Sequence, residues 1–172
     1  IFSGRLMLMP KMRARATRPD LVQAADALLM GRPADAYWLL RDSVAHFPSD
    51  PVTLWMAGDL SSRAGRNDEA AALLGRCIGV APNFTSARYG YALVLTWLER
   101  IPEALEQADC LLRTEPENPM FHQLRASSCK RLGDEAEAAR SYEFVLSRRP
   151  DQALTWMSYG HTLKAIGRQG AA

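Results

Sequence analysis

The chain of 172 residues has few of the side chains that hold metals or carry redox chemistry: three cysteines and three histidines. Cys77, Cys110 and Cys129 form no CxxC pair, and the histidines follow neither an HxxxH nor an HExxH spacing. A disulfide framework and a zinc site are therefore not expected. The Ser/His/Asp order of a hydrolase is also missing, so we expect no catalytic residue, no metal and no cofactor in this chain.

Long apolar runs are missing too. No stretch of 18 consecutive apolar residues exists, so a transmembrane helix is not expected. Hydrophobic residues make up 48% of the chain and charged residues 23%, which is typical of a soluble globular protein. The three cysteines fall in apolar helical patterns that suit buried thiols in a reducing compartment. The composition therefore predicts a cytoplasmic protein.

Acidic residues are absent from the start of the sequence. Five basic residues precede the first acid, Asp20: Arg5, Lys11, Arg13, Arg15 and Arg18. A basic arm of this kind can bind nucleic acid or anionic lipid. No aromatic residue is interleaved with the charges, which is unfavourable for nucleic-acid binding. We therefore interpret residues 1–16 as a solvated basic arm or a cloning remnant, with neither a nucleic-acid nor a membrane partner.

What the sequence does contain is an internal repeat with a period of 34 residues. Proline, alanine and glycine each recur at this interval, and an interval shared by three residue types strongly indicates a repeated structural unit. The repeated positions are Pro48, Pro82, Pro116 and Pro150; Ala36, Ala70, Ala104, Ala138 and Ala172; and Gly31, Gly65, Gly133 and Gly167. The third copy departs from the pattern, because Glu99 replaces the glycine.

Each repeat is predicted to form two helices, as the second repeat illustrates. Asp50 can cap its first helix, and Pro51 suits the first helical position, where a missing N–H costs no hydrogen bond. Gly65 can end that helix in a left-handed conformation. Asn67 or Asp68 is expected to cap the second helix. The alanines at the repeat interval are expected where the two helices cross, because a larger side chain would overpack that crossing.

This helix–turn–helix pattern resembles the tetratricopeptide repeat (TPR). Signature places of the family are matched by Trp156, Gly160, Leu163 and Gly167 in the last repeat, and by Ala126, Gly133, Ala138, Tyr142 and Pro150 in the fourth. The resemblance implies an all-α, right-handed superhelical α-solenoid of four full repeats and a partial fifth. Its predicted bounds are 17–172, divided into 17–50, 51–84, 85–118, 119–152 and 153–172.

A narrower resemblance lies in ARYGYALVL (87–95) and TWMSYGHTLKAIGRQ (155–169). Both segments look like the repeat region of bacterial proteins in which TPRs precede a sulfotransferase domain. That family uses 3′-phosphoadenosine-5′-phosphosulfate as donor. The chain has no Gly-rich phosphate loop after a strand-like run, so the resemblance implies a non-catalytic arm and assigns no catalytic residue.

In TPR proteins the first helix of each repeat lines an inner groove that binds partner segments. The resemblance therefore implies a groove for a protein or peptide, lined by Trp55, Asp59, Arg63, Tyr89, Trp97, Gln123, Ser127, Lys130, Arg131, Met157, His161 and Lys164. Aromatic residues beside arginine and lysine suit a peptide or an acidic segment. Two interpretations stay open: Trp55 and Tyr89 either contact a partner or pack on the next helix, and the basic residues either bind or are merely solvated.

The last repeat contains a first helix, predicted over 153–166, and little of its second. Trp156, Tyr159, Leu163 and Ile166 cannot all be covered from one side, so this helix is a candidate surface for an end-to-end homodimer. We also expect the chain to be a fragment of a larger protein.

Two functions are consistent with the sequence. The first is a protein-interaction scaffold that binds a peptide or protein segment in the groove. The second is a regulatory or substrate-presenting arm of a bacterial sulfotransferase.

Overall fold

The computed structural model describes residues 15–167, and within that range the chain forms nine α-helices and no strand. The helices are α1 (Pro19–Leu29), α2 (Pro33–His46), α3 (Pro51–Arg63), α4 (Asn67–Val80), α5 (Thr85–Trp97), α6 (Ile101–Thr114), α7 (Pro119–Arg131), α8 (Glu135–Arg148) and α9 (Ala153–Ala165). The predicted all-α solenoid of helix pairs is confirmed.

Helices that follow one another in the chain pack against one another. Two compact units result, Ile1–Gly90 and Tyr91–Ala172. In the first unit α1 packs on α2, α2 on α3, and α3 on α4. In the second unit α6 packs on α7, α7 on α8, and α8 on α9. Within the units, the two helices of each of the pairs α1–α2, α3–α4 and α7–α8 therefore pack on each other, and each pair also packs on a helix of a neighbouring pair, as stacked repeats must.

Two first helices begin with a side-chain cap followed by proline. The backbone N–H of Thr53 donates to the Asp50 carboxylate at 2.8 Å, and α3 starts at Pro51. In α7 the backbone N–H of Met120 donates to Asn118 Oδ1 at 3.0 Å. The predicted cap of the second repeat is thus confirmed, and proline fills the position whose N–H would have no partner.

The predicted cap of α4 is wrong. Asn67 is already the first helical residue, and Arg66 holds the cap position without a side-chain cap bond. The reason lies in the preceding turn, where the Arg66 N–H donates back to Ser61 O at 2.9 Å and so fixes where the new helix starts. Asp68 and Glu69 lie in the first turn of α4, where carboxylates favour the positive end of the helix dipole.

The turn between the two helices of a repeat has one shape throughout. The glycines at positive φ are Gly31 (71°), Gly65 (76°), Gly133 (82°) and Gly167 (78°). Glu99 takes φ 60° at the same place in the third repeat. The N–H of Arg100 donates to Leu95 O at 2.9 Å, the bond that closes a Schellman turn at a helix end. The glutamate therefore adopts the left-handed geometry that glycine provides elsewhere.

Small residues lie at the helix crossings, as predicted. Ala36, Ala70, Ala104 and Ala138 are each 0% exposed. The closest approach in the second repeat involves Gly58 of α3, because a Cβ added there would lie 2.7 Å from Leu74 Cγ of α4. The close approach of α3 and α4 therefore requires glycine at position 58, in addition to alanine at position 70.

The cysteines divide into two kinds. Cys77 and Cys129 are buried, and Cys129 belongs to an apolar cluster with Ala126, Ala138 and Tyr142. The prediction of a buried thiol is wrong for Cys110, which is partly exposed on α6. A free thiol therefore reaches solvent at one of the three positions.

Some predictions fall on parts of the chain outside the described residues. They concern the basic arm up to residue 14 and the repeat positions after Gly167, including Ala172. Among the described helices, none is long and apolar enough to cross a membrane.

Candidate functional site

The first helices of the repeats in the second compact unit lie side by side. Arg131 Nη1, at the end of α7, donates to Thr96 O of α5 at 2.9 Å. On the other side of α7, Thr155 Oγ1 of α9 donates to Gln123 Oε1 at 3.1 Å. We call the surface carried by these helices the first-helix face and define it by Trp97, Gln123, Ser127, Lys130, Arg131, Met157, His161 and Lys164.

The exposed side chains of the first-helix face are partly apolar. Met157 is 60% exposed and Trp97 39% exposed, and His161 and Lys164 are also exposed. The half-buried members are Gln123, Ser127 and Lys130. Ser127 Oγ donates to Leu124 O of its own helix at 2.9 Å, so its hydroxyl proton is already used. Apolar contact surface on this face therefore comes from Met157 and Trp97.

The cations of the face differ in how they are neutralised. Arg131 pairs with the carboxylate of Glu99. Among the ion pairs between residues 15 and 167, neither Lys130 nor Lys164 takes part in one. The two lysines therefore carry positive charge that an acidic partner could neutralise, whereas the charge of Arg131 is balanced within the chain.

Three further predicted site residues belong to the first compact unit. Asp59 and Arg63 form an ion pair along α3, and their side chains are only 15% and 18% exposed. Tyr89 is half-buried, and burial raises the pKa of its hydroxyl. Asp59 and Arg63 balance one another, so this stretch of α3 presents little net charge.

Trp55 is covered by other side chains of its own unit in this structure. Its side chain is 1% exposed, and its ring centroid lies 5.2 Å from that of Phe84. The guanidinium of Arg15 lies over the same pair of rings. Of the two interpretations left open for Trp55, packing within the chain is the one that this structure has, because neighbouring side chains of its own unit cover the indole.

The arginines before α1 bind the folded unit, which the sequence did not predict. Arg18 donates to both carboxylate oxygens of Asp20, at 3.2 and 2.8 Å, and to Thr53 Oγ1 at 3.1 Å. Arg18 lies just after the predicted arm 1–16, and Arg15 within that arm lies over the rings of Trp55 and Phe84. One sequence feature could have indicated this contact: Arg15 and Arg18 are three residues apart and closely precede the first acid.

The surface of α9 differs in detail from its prediction. Leu163 is 2% exposed, and Tyr159 packs against the cluster around Tyr142, so these two of the four apolar side chains named for this helix are covered. The exposed apolar side chains of α9 are Leu154 (68%), Trp156 (50%) and Met157 (60%). The end-to-end homodimer through this helix stays a prediction.

No group of three or more His, Cys, Asp and Glu side chains between residues 15 and 167 could hold a metal ion. A cavity of about 80 Å³ lies among α2, α3 and α4, lined mainly by apolar residues such as Leu40, Val44 and Leu60. Ligand pockets usually measure about 300–1,000 Å³, so this cavity is too small for a metabolite.

Comparison with known proteins supports the repeat assignment. Residues 62–127 match the family model described as Tetratricopeptide repeat. Two similar proteins of Arabidopsis thaliana are TPR repeat-containing thioredoxin TTL4, 36% identical over 105 residues, and Inactive TPR repeat-containing thioredoxin TTL3, 36% identical over 110 residues. The matches cover 61% and 64% of this chain, but the chain spans only 15% and 16% of those proteins.

Solved structures share the fold at low sequence identity. MamA 41-end from Desulfovibrio magneticus RS-1 has a TM-score of 0.80 and 15% identity, with 99% of this chain and 90% of that chain covered. MamA AMB-1 has a TM-score of 0.79 and 19% identity, with 87% and 88% covered. At such identities the likeness shows the fold alone.

None of these matches is described as a sulfotransferase, so the narrower resemblance stays a prediction. The 34-residue period and the paired helices agree with the match over residues 62–127. Residues 62–127 are therefore similar to tetratricopeptide repeats, and the described residues have a TPR-like all-α solenoid fold.

Proposed function

We propose that this chain is a non-catalytic scaffold that binds a protein segment on the first-helix face of its second compact unit. A TPR fold suggests protein–protein interaction in general. The observation that carries the specific proposal is that the first-helix face combines exposed apolar side chains with cations that have no ion pair among the described residues. The apolar side chains are Met157 on α9 and Trp97 on α5, and the cations are Lys164 on α9 and Lys130 on α7. Apolar contact area and uncompensated charge are what a peptide-binding surface needs.

The chemistry of the face defines the partner. An apolar side chain of the partner would contact Met157 or Trp97, and carboxylates would neutralise Lys130 and Lys164. Arg131 has a structural role at the turn of the third repeat and is not expected to bind the partner, because Glu99 already pairs with it. The expected ligand is therefore a protein segment with an apolar residue flanked by aspartate or glutamate.

Peptide selection tests this proposal. Peptides selected from a random phage-displayed library on the whole chain should combine acidic residues with an apolar one. Their affinity should fall by about tenfold or more in a Lys130→Glu/Lys164→Glu chain, since two attractive charge pairs become repulsive. The affinity should also decrease as salt rises, because salt screens exposed charges.

A matched control separates this face from general charge effects. Arg113 is an exposed cation in the last turn of α6, a second helix of the same unit. The Arg113→Glu chain makes one such charge reversal, as Lys130→Glu or Lys164→Glu alone does, and should bind the selected peptides as the unaltered chain does. Equal affinity for the Lys130→Glu/Lys164→Glu chain, or selected peptides without acidic residues, would contradict the proposal.

A further inference from the structure

The residues Arg15–Arg18, which we call the strap, lie across aromatic rings of the first compact unit. The guanidinium carbon of Arg15 lies 4.4 Å from the ring centroid of Phe84 and 5.8 Å from that of Trp55. Both rings are nearly inaccessible, at 8% and 1% exposure, whereas Arg15 itself is exposed. Arg15 is therefore an outer cover on a pair of buried rings.

The second arginine of the strap has a different site. Arg18 Nη2 donates to Thr53 Oγ1 at 3.1 Å, and Nη1 lies 3.8 Å from the carboxylate of Asp50. Its guanidinium carbon also lies 3.6 Å from the ring centroid of Phe47. Between the two arginines, Ala16 is only 8% exposed. The strap therefore contacts α3, the loop before it and the residue before α5.

Both sites have the chemistry that recognises a guanidinium. Ring faces attract a planar cation, which stacks on them. A carboxylate beside a hydroxyl acceptor matches the N–H donors of arginine. The two sites are occupied by arginines three residues apart, so the distance between the sites fits an Arg-x-x-Arg segment.

We infer that this surface binds protein segments with two arginines spaced three apart, and that the chain's own strap occupies it as a displaceable ligand. The surface is formed by Asp20, which pairs with Arg18 at 2.8 Å, and by Phe47, Asp50, Thr53, Trp55 and Phe84. The inference goes beyond the proposed function: it concerns the other compact unit and a basic partner. A basic segment of another protein gains access to the surface when the strap leaves it.

The tethering of the strap sets how strongly an external segment must bind. A covalently linked ligand acts at an effective concentration of about 1 mM, so a free segment competes poorly with it. Weakening the strap within the chain should remove this competition. Binding of a free strap peptide should therefore improve when the arginines of the strap are replaced.

The experiment uses a fluorescent peptide with the sequence of residues 11–18, KMRARATR, and the whole chain. Fluorescence anisotropy gives its affinity for the unaltered chain and for an Arg15→Ala/Arg18→Ala chain. The peptide should bind the double variant about tenfold more tightly or better. The same peptide with alanine in place of the arginines corresponding to Arg15 and Arg18 should not bind either chain.

Controls keep the result interpretable. Arg41→Ala removes an exposed arginine 5.3 Å from the ring of Trp38 on α2 and should leave peptide affinity unchanged. If the double variant does not fold, judged by far-UV circular dichroism, Arg15→Ala alone decides, since it leaves the ion pairs of Arg18 in place. Equal affinity of the peptide for the unaltered chain and the strap variant, or equal binding of the arginine-free peptide, would overturn the inference.

The fluorescence of Trp55 provides a second test. In a chain with Trp38, Trp97 and Trp156 replaced by phenylalanine, acrylamide should quench Trp55 weakly, and Arg15→Ala should increase the quenching. Unchanged quenching would mean that Arg15 covers nothing and would also overturn the inference. Lys130 and Lys164 take no part in either measurement, so failure here leaves the proposed function unaffected.

Discussion

Glu99 holds a left-handed backbone with φ 60°, and its carboxylate pairs with the guanidinium of Arg131. The same guanidinium donates to Thr96 O at 2.9 Å, so Arg131 of α7 contacts both the end of α5 and the turn that follows it. The side chain of Glu99 is 74% exposed, and an ion pair this exposed stabilises a protein little. The strained conformation and the weak ion pair act on stability in opposite directions.

Replacing Glu99 with glycine should therefore leave the free energy of unfolding unchanged or raise it by up to about 1 kcal/mol. A left-handed conformation costs a residue with a Cβ about 1–2 kcal/mol, whereas an exposed ion pair contributes about 0–1 kcal/mol. Urea unfolding measures the difference. Glu99→Ala is the matched control, since it loses the ion pair but keeps the strain and should be the least stable of the three chains. A Glu99→Gly chain less stable than Glu99→Ala would contradict this argument.

Gly58 offers a test of the helix crossing in the second repeat. A Cβ at this position would lie 2.7 Å from Cγ and 2.9 Å from Cδ2 of Leu74. Gly58→Ala should overpack the α3–α4 crossing and lower the free energy of unfolding by roughly 1–3 kcal/mol, despite the better helix propensity of alanine. Thermal and urea unfolding of the purified chain measure the loss.

Gly79 provides the control for that substitution. It lies exposed near the end of α4, and a Cβ built there has nothing within 4 Å. Gly79→Ala should therefore be neutral or stabilising by up to about 1 kcal/mol, since only helix propensity changes. If both alanine variants shift stability in the same direction and by the same amount, the close approach at Gly58 has no energetic role.

The periodic features of this fold could be predicted from the sequence because each is determined locally. Asp50 caps α3 through a bond to a residue three positions away. The turn at Glu99 is the exception: the sequence left its geometry open because the glycine is replaced, and the structure gives Glu99 a φ of 60°. The cap of α4 was mispredicted for a related reason. The turn before it already ends one residue earlier, at Arg66, and the turn decides where the helix starts.

The candidate site was less predictable, because burial depends on residues far away in the sequence. The cover on Trp55 comes from Arg15, 40 positions earlier, and from Phe84, 29 positions later. On α9 the sequence could not tell which of the apolar side chains are covered, and the structure buries Leu163 but exposes Trp156 and Leu154. Sequence spacing identifies which residues share a helix face, but the neighbouring helix decides which of them it covers.

The carboxyl of Asp20 predicts a pH dependence of stability. The hydrogen bond from Arg18 is the main cause that lowers the pKa of Asp20 from its ordinary value of 3.8 to about 2; a hydrogen bond from Ser43 adds to the effect, and burial opposes it. A carboxyl with a lowered pKa stabilises the fold above its unfolded pKa and loses that contribution as pH falls through the folded pKa. The contribution is therefore present above about pH 4 and disappears between about pH 4 and 2.

The measurement compares the unaltered chain with Asp20→Asn across that range. The unaltered chain should be more stable at pH 6 by about 1 kcal/mol, a value reduced from the full pKa shift because the side chain is partly solvated. The advantage should shrink as pH approaches 2, while other carboxyls titrate alike in both chains. A stability difference that is independent of pH between 6 and 2 would mean that the Arg18 contact does not favour the charged form.

The three thiols should differ in reactivity. Cys77 is buried and its Sγ donates to Pro51 O at 3.2 Å; burial, with a smaller effect of the Asp50 charge, raises its pKa to about 12. Burial also raises the pKa of Cys129, whereas Cys110 is partly exposed. Because the thiolate is the reacting species, a thiol-specific reagent at pH 8 should modify Cys110 fast and the other two only after unfolding in denaturant. Replacing Cys110 with serine should abolish the fast reaction, and fast modification that persists in that chain would show that the cores around Cys77 or Cys129 open far more often than their burial implies.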